Sequence, residues 1–333
     1  MFILFITSRT KIISFVLLIL LMGAFFLKGS FYPSYPGVEP GVTFSGENMS
    51  GLRREEVAER VNARFGEWIL SPVDAVYDPN LNSIIPELWG YEMDLQETIN
   101  HIMSAGPDEE VFPSYEPILP EITINDYPWA YIDRGNPGKS EIALMINVAW
   151  GTEFIVPILD ILSAEEVSGT FFVVGKWAEN NMELLKEINR WGHNIESHGH
   201  TDSVVYTELS PLEAEQGLKE VNSIVESATG REPLYFTPHK GEYNDLVLEI
   251  VSRQGMRTVL WSIDTVDWMT PGVPKMKTKV LDNLHEGAIV LMHPTEDTVT
   301  FLQETIPEIK ARGLNIVNME QLLNPQYLPA GKK

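Results

Sequence analysis

A parallel α/β fold, either a doubly wound sheet or a barrel, is predicted for residues 140–325 from three observations. Seven short runs, most of them apolar nearly throughout, are separated by helical patterns, and these runs lack the apolar–polar alternation of a sheet with one wet face. Continuously apolar strands belong to a sheet covered on both sides, because crossover helices shield each face.

In chain order the strands are IALMINV (142–148), TFFVVG (170–175), HNIES (193–197), LYFTP (234–238), MRTVLWSI (256–263), AIVLMHP (288–294) and LNIVNM (314–319). The clearest intervening helix starts at Ser210, a hydroxyl N-cap followed by Pro211 at the first helical position and Glu213 as the capping-box acid.

Upstream, residues 42–125 read as a small α+β unit. One helix carries Leu52, Val57, Val61 and Phe65 on a rough stripe after a turn at Ser50–Gly51. A second is opened by Asp94 with Glu97, presents Leu95, Ile99, Ile102 and Met103 on one face, and ends at Gly106. Residues 31–41 and 126–139 are rich in Pro, Gly, Asp and Tyr without period and read as linkers, and 326–333 as a tail.

Residues 1–30 carry Arg9, Lys11 and Lys28 and no acid, around the sixteen-residue run IISFVLLILLMGAFFL. As a helix the run would cover roughly 24 Å, and snorkelling lysines extend that reach towards a bilayer core. The basic flank keeps the N-terminus inside. The expectation is an uncleaved single-pass signal anchor, with the bulk of the chain extracytoplasmic.

The whole chain has 24 basic and 47 acidic residues, a formal charge of −23, which argues against a nucleic-acid partner. Having no cysteine, it contains no disulfide, thiolate metal site or cysteine nucleophile. Any metal would be held by His and carboxylates.

Ligand sites of parallel α/β folds lie at the carboxyl ends of the strands. Those ends carry Asn147 and Val148, then His198 to Asp202, then Thr237, Pro238 and His239, then Asp264 to Trp268, then His293. Four of the chain's seven histidines fall there, which points to a site at one rim.

These stretches resemble the NodB-homology polysaccharide deacetylases, carbohydrate esterase family four. The resemblance rests on IALMINVAWG, GTFFVVGKW, SHGHTD, YFTPHKGEYND, VLWSIDTVDW and GAIVLMHP, and it spans all of 140–325. It implies a deformed (β/α)7 barrel, preceded here by the small α+β domain and the transmembrane helix. It also implies a divalent, zinc-like metal on one Asp and two His, a neighbouring Asp base, and a late His acid. The metal would lower the pKa of water from 15.7 to roughly 7 and polarise the acetyl carbonyl. Residues 42–125 resemble the VanW-associated peptidoglycan-binding domain, through GVTFSGENMSGLRREE and ELWGYEMD, which implies a cell-wall address.

Carried over position by position, the resemblance is incomplete. The base falls on Asn147, an amide that accepts no proton, and the metal Asp on Val148. The first metal His is His198, but the second falls on Asp202, and the orienting Arg on Thr237. The acid survives as His293, with Asp264 and Asp267 to orient it. Trp268, Trp150 and Pro238 are expected to line the sugar. Alternate strand residues share a face, so Glu196, His198 and Asp202, with His200, are the candidates for a relocated metal site.

The sequence thus predicts a membrane-tethered member of this family that meets N-acetylated cell-wall glycan, peptidoglycan in particular, with impaired catalysis. The alternative is an active N-deacetylase with a non-standard metal shell.

Overall fold

The computed structural model describes residues 37–328. The predicted anchor, the first part of the 31–41 linker and most of the tail lie outside the described residues. Among the described residues no helix is long and apolar enough to cross a membrane.

The described chain forms two compact units, one of residues 37–69 with Tyr91–Glu116, the other of Leu70–Gly90 with residues 117–328. In the smaller, helices Arg54–Phe65 and Leu95–Ser104 share a core with the strands Thr43–Phe44 and Glu110–Val111. Val57, Val61, Ile99 and Ile102 are buried, as their spacing predicts. Asp94 caps the second helix by accepting from the Glu97 N–H at 2.8 Å, and the helix stops at Ser104, two residues short of Gly106.

The larger unit is a curled, all-parallel sheet. Its strands are β1 (Glu141–Val148), β2 (Thr170–Val173), β3 (Asn194–Ser197), β4 (Tyr235–Phe236), β5 (Arg257–Thr258), β6 (Ile263–Asp264), β7 (Ile289–Met292) and β8 (Asn315–Val317). The order is β5-β4-β3-β2-β1-β7-β6, with β8 also paired to β1. Eight strands stand where seven were predicted, because MRTVLWSI divides into β5 and β6, which are the two ends of the sheet path. The barrel is therefore open at that point.

The opening is covered from within the same unit. Ile132 bridges Val259, donating to the Thr258 carbonyl at 3.0 Å and accepting from the Leu260 N–H at 2.8 Å, and Arg134 bridges Ala288. The stretch 126–139 is thus part of the barrel wall and not the linker its composition suggests. Two buried cations pin it. Arg257 donates to the carbonyls of Ile124, Tyr127 and Ala130 at 2.7, 2.5 and 3.0 Å. Lys139 donates to the carbonyls of Gln321 and Leu322 at 2.7 and 3.0 Å, with Glu141 3.4 Å away. Residues 70–90 also belong here, since the hairpin Val76–Asp78/Ser83–Ile85 reaches Tyr131 through Ser83. The small unit consequently loses 70–90 and 117–125 from the span 42–125.

Strand parity fixes the site. Along β1, Ile142, Leu144, Ile146 and Val148 pack in the outer core against helices Thr152–Ala164 and Glu296–Ala311. Ala143 and Met145 face the inner core with Phe172 and Leu291. Asn147 continues that inner row and lines the groove at the carboxyl ends of the strands. The helix opened by Ser210 runs Pro211–Thr229 with the full reciprocal cap.

Candidate active site

The groove has a cavity of about 620 Å³ and is lined by Asn147, Trp150, His198, Asp202, Asp264, Trp268 and His293, each expected at this rim. His239, Lys240 and Trp261 also line it. His239 was visible only as one more strand-end histidine, and Lys240 and Trp261 carried no signal of their own.

One side holds a preserved dyad. Asp267 is fully buried and accepts from the His293 backbone N–H at 2.5 Å, from its Nδ1–H at 2.8 Å and from the Thr298 hydroxyl at 2.7 Å. These bonds fix the imidazole with Nε2 as its unengaged nitrogen, the arrangement a proton donor or acceptor needs. Trp150 lies parallel to the His293 ring, centroids 5.8 Å apart at 6°. Asp264 accepts from the Val266 N–H at 2.7 Å. That turn holds Val266 at φ +58°, a conformation costly for a β-branched residue, and carries the chain into Asp267 and Trp268.

The other side differs from the family pattern. Asn147 is buried with its side-chain oxygen unpartnered. Val148 is fully buried in the outer core. His198 donates Nδ1–H to the Thr237 carbonyl at 2.7 Å, and burial holds its pKa well below 6.5. His239 rests on it, ring centroids 4.2 Å apart at 55°. The His239 Nδ1 lies 3.5 Å from Asp202 Oδ1, while its Nε2 is buried without a partner. Burial lowers the His239 pKa too.

Two expected metal ligands are elsewhere. Glu196 lies beneath the rim, fully buried, accepting from the Leu234 and Tyr235 N–H groups at 2.7 and 2.8 Å, with the Arg231 guanidinium at 3.4 Å. Burial pushes its carboxyl up to about 7 despite those donors. Strand parity did put Glu196 on the face of His198, but two residues back along a strand is roughly 6–7 Å deeper. His200 lies past the end of β3, where alternation no longer applies. Its ring crosses Gly175, close enough that a Cβ there would meet Nδ1 at 2.5 Å, and its Nε2 lies 3.5 Å from Glu220 in a separate hollow. Pro238 is buried and does not line the groove.

Among the described residues, no group of three or more His, Asp or Glu side chains is arranged to hold a metal ion. Of the family's three ligand positions, Val148 offers no donor atom, and His198 and Asp202 are joined only through His239. The donor set present does not fit the metal that the resemblance implies.

Comparison with known proteins agrees with this architecture. Residues 134–259 match the family model described as polysaccharide deacetylase. The chain is 31% identical over 208 residues to a peptidoglycan-N-acetylglucosamine deacetylase of Bacillus cereus, covering 60% of this chain and 96% of that protein. It is 30% identical over 275 residues to YlxY, an uncharacterised protein of Bacillus subtilis, covering 83% of this chain and 86% of that one. Among solved structures, BA3943 of Bacillus anthracis, described as a CE4 family pseudoenzyme, superposes with a TM-score of 0.70 at 29% identity over 81% of this chain and 96% of its own. That share exceeds what the barrel alone supplies, so the likeness takes in much of the preceding chain. A variant of BA3943 is described as having restored enzymatic activity.

Proposed function

Because the chain belongs to the polysaccharide deacetylase family, we propose that it binds N-acetylated cell-wall glycan in the groove and has lost the deacetylation chemistry. The observation that carries this reading is Asn147, an amide at the position where the family has its base. A positioned base contributes about 10² to 10⁴-fold, and loss of the metal removes the activated water as well. What is retained suits sugar binding. Trp150 and Trp268 present aromatic faces at 44% and 56% exposure, and His293, Asp264 and Asp202 supply polar atoms around the same cavity.

Residues 1–30 tether the protein to the membrane with its bulk outside, and the small unit, through its VanW-like motifs, adds a second contact with peptidoglycan. The pseudoenzyme likeness supports the loss of activity, and the deacetylase relatives support the glycan class.

Purified protein should release no acetate from N-acetylglucosamine oligomers and retain no stoichiometric metal after dialysis against Zn²⁺, yet sediment with peptidoglycan. Acetate release with bound metal would establish the active enzyme with an unusual metal shell instead. Fractionation of cells expressing the full chain tests the tether, which requires recovery with the membrane.

A further inference from the structure

Outside the groove, the larger unit has a second cleft, of about 940 Å³, between the hairpin loop Pro79–Asn82 and the start of helix Asp245–Arg253. Trp129 and Tyr243 line it together with Asn80, Asn82 and Asn244. Trp129 is 44% exposed although it belongs to an aromatic series in which Tyr77 stacks on Tyr127 at 4.3 Å and Tyr127 meets Trp129 edge-on at 6.2 Å. Tyr243 is braced from behind by Tyr131, ring centroids 4.9 Å apart. In the hairpin loop Asn82 adopts φ +58° and accepts from the Tyr77 hydroxyl at 3.0 Å.

We infer that this cleft is a second glycan subsite, which engages sugar units of the same polymer beyond those in the groove. The inference rests on the glycan-binding reading above and extends it to a longer ligand.

Three features select the ligand. Rigid aromatic faces beside amide groups match a pyranose, whose apolar C–H face stacks while its hydroxyl and acetamido groups pair with amides. The lining contains no cation, while Asp245 and Glu249 stand at it, so a phosphate-rich polymer is disfavoured and uncharged N-acetylglucosamine units are not. The cleft and the groove are also lined by neighbouring stretches of the chain. Lys240 lines the groove and Tyr243 the cleft, and three residue steps span at most about 11 Å. Between them Gly241, at φ +70°, lies so close to Trp261 of the groove floor that a Cβ would meet its ring at 3.0 Å. One braced segment therefore forms a wall of both cavities.

The test is calorimetric binding of N-acetylglucosamine dimer and hexamer to the wild type and to Trp129→Ala, Trp129→Phe and Trp268→Ala. The expected pattern is that Trp129→Ala weakens hexamer binding about tenfold, leaves dimer binding unchanged, and is largely rescued by Phe. Trp268→Ala should weaken both ligands. Equal hexamer affinity in wild type and Trp129→Ala would overturn the subsite while leaving the groove reading intact. Loss of hexamer binding in Trp129→Ala with none in Trp268→Ala would support the cleft and overturn the groove. A wild type that binds neither oligomer would overturn both. Unchanged thermal unfolding of Trp129→Ala, expected from its exposure, separates lost binding from lost fold.

Discussion

The imidazoles of His198 and His239 lie one against the other at 4.2 Å between ring centroids, where two positive charges would repel at close range in a buried setting. Both rings are neutral in the folded protein above pH 6.5, and burial lowers the pKa of each. The consequence is acid sensitivity with a defined sign. Below about pH 6.5 the unfolded chain takes up protons that the folded chain refuses, so stability present at pH 7–8 is lost as the pH falls. Glu196 acts in the opposite sense. Its carboxyl is pushed up to about 7, so between roughly pH 4.5 and 7 the folded state binds the extra proton and gains stability on acidification. Thermal unfolding at pH 5 and pH 8 should show a smaller acid loss in His198→Asn than in wild type and a larger one in Glu196→Gln. Parallel behaviour of both variants would contradict these environments.

Asp267 is the most heavily committed carboxylate of the groove. It accepts from His293 twice and from Thr298 once, and it has no exposed surface. Asp267→Ala leaves those donors unpaired, at about 1–3 kcal/mol for each buried group that finds no substitute. Urea denaturation should register a loss of about 3 kcal/mol or more. Asp264→Ala, which frees only the Val266 N–H, should cost about 1 kcal/mol. Equal costs would mean that the dyad is not the structural centre of this wall.

Much of this architecture is legible in the sequence, and what is not has physical causes. Apolar runs mark most of the strands because burial on both faces favours apolar side chains, although β3 and β5 are buried and still carry Glu196 and Arg257. The division of MRTVLWSI is invisible because its cause is distant. Ile132 occupies the edge at Val259, while Trp261 is turned to the groove. Residues 126–139 carry no periodicity, and their attachment depends on Arg257 and Lys139, each of which bonds to carbonyls remote in sequence. At the rim, strand-end position singles out Asn147, His198, Asp264 and His293, and all four line the cavity. Parity alone misplaces Glu196, since it gives the face and not the depth. The contact of His239 with His198 arises only when β3 and β4 are side by side.

The pinned segment makes a prediction of its own. A flexible linker at 126–139 would be the first site of proteolysis, whereas the observed hydrogen bonds protect it. Limited trypsin or chymotrypsin digestion of wild type should spare Tyr131 and Arg134. Arg257→Met removes three buried hydrogen bonds from the carbonyls of Ile124, Tyr127 and Ala130, for a loss of about 3 kcal/mol, and should open this stretch to cleavage before the rest of the barrel. Early cleavage of the wild type there would restore the linker reading.

The departures at the rim can be reversed one by one. In Asn147→Asp/Val148→Asp/Asp202→His the family's base and ligand types stand again at their positions, around an unaltered His198. The cost falls mainly on Val148, which is fully buried in the outer core. A carboxylate that keeps that direction loses its hydration, whereas one that turns to the groove is compensated only if a cation meets it there. The triple variant should therefore be less stable than wild type in chelator and regain stability with Zn²⁺. At a hundredfold excess over the dissociation constant, binding adds about 2.7 kcal/mol. For a unit of this size that raises the unfolding temperature by roughly 5–10 °C. Wild type should show no such shift. Acetate release from N-acetylglucosamine oligomers should follow metal uptake in the variant. A folded triple variant that takes up no zinc would show that Val148 and Asp202 are not the ligand positions, and that the loss of chemistry has a cause other than these three side chains.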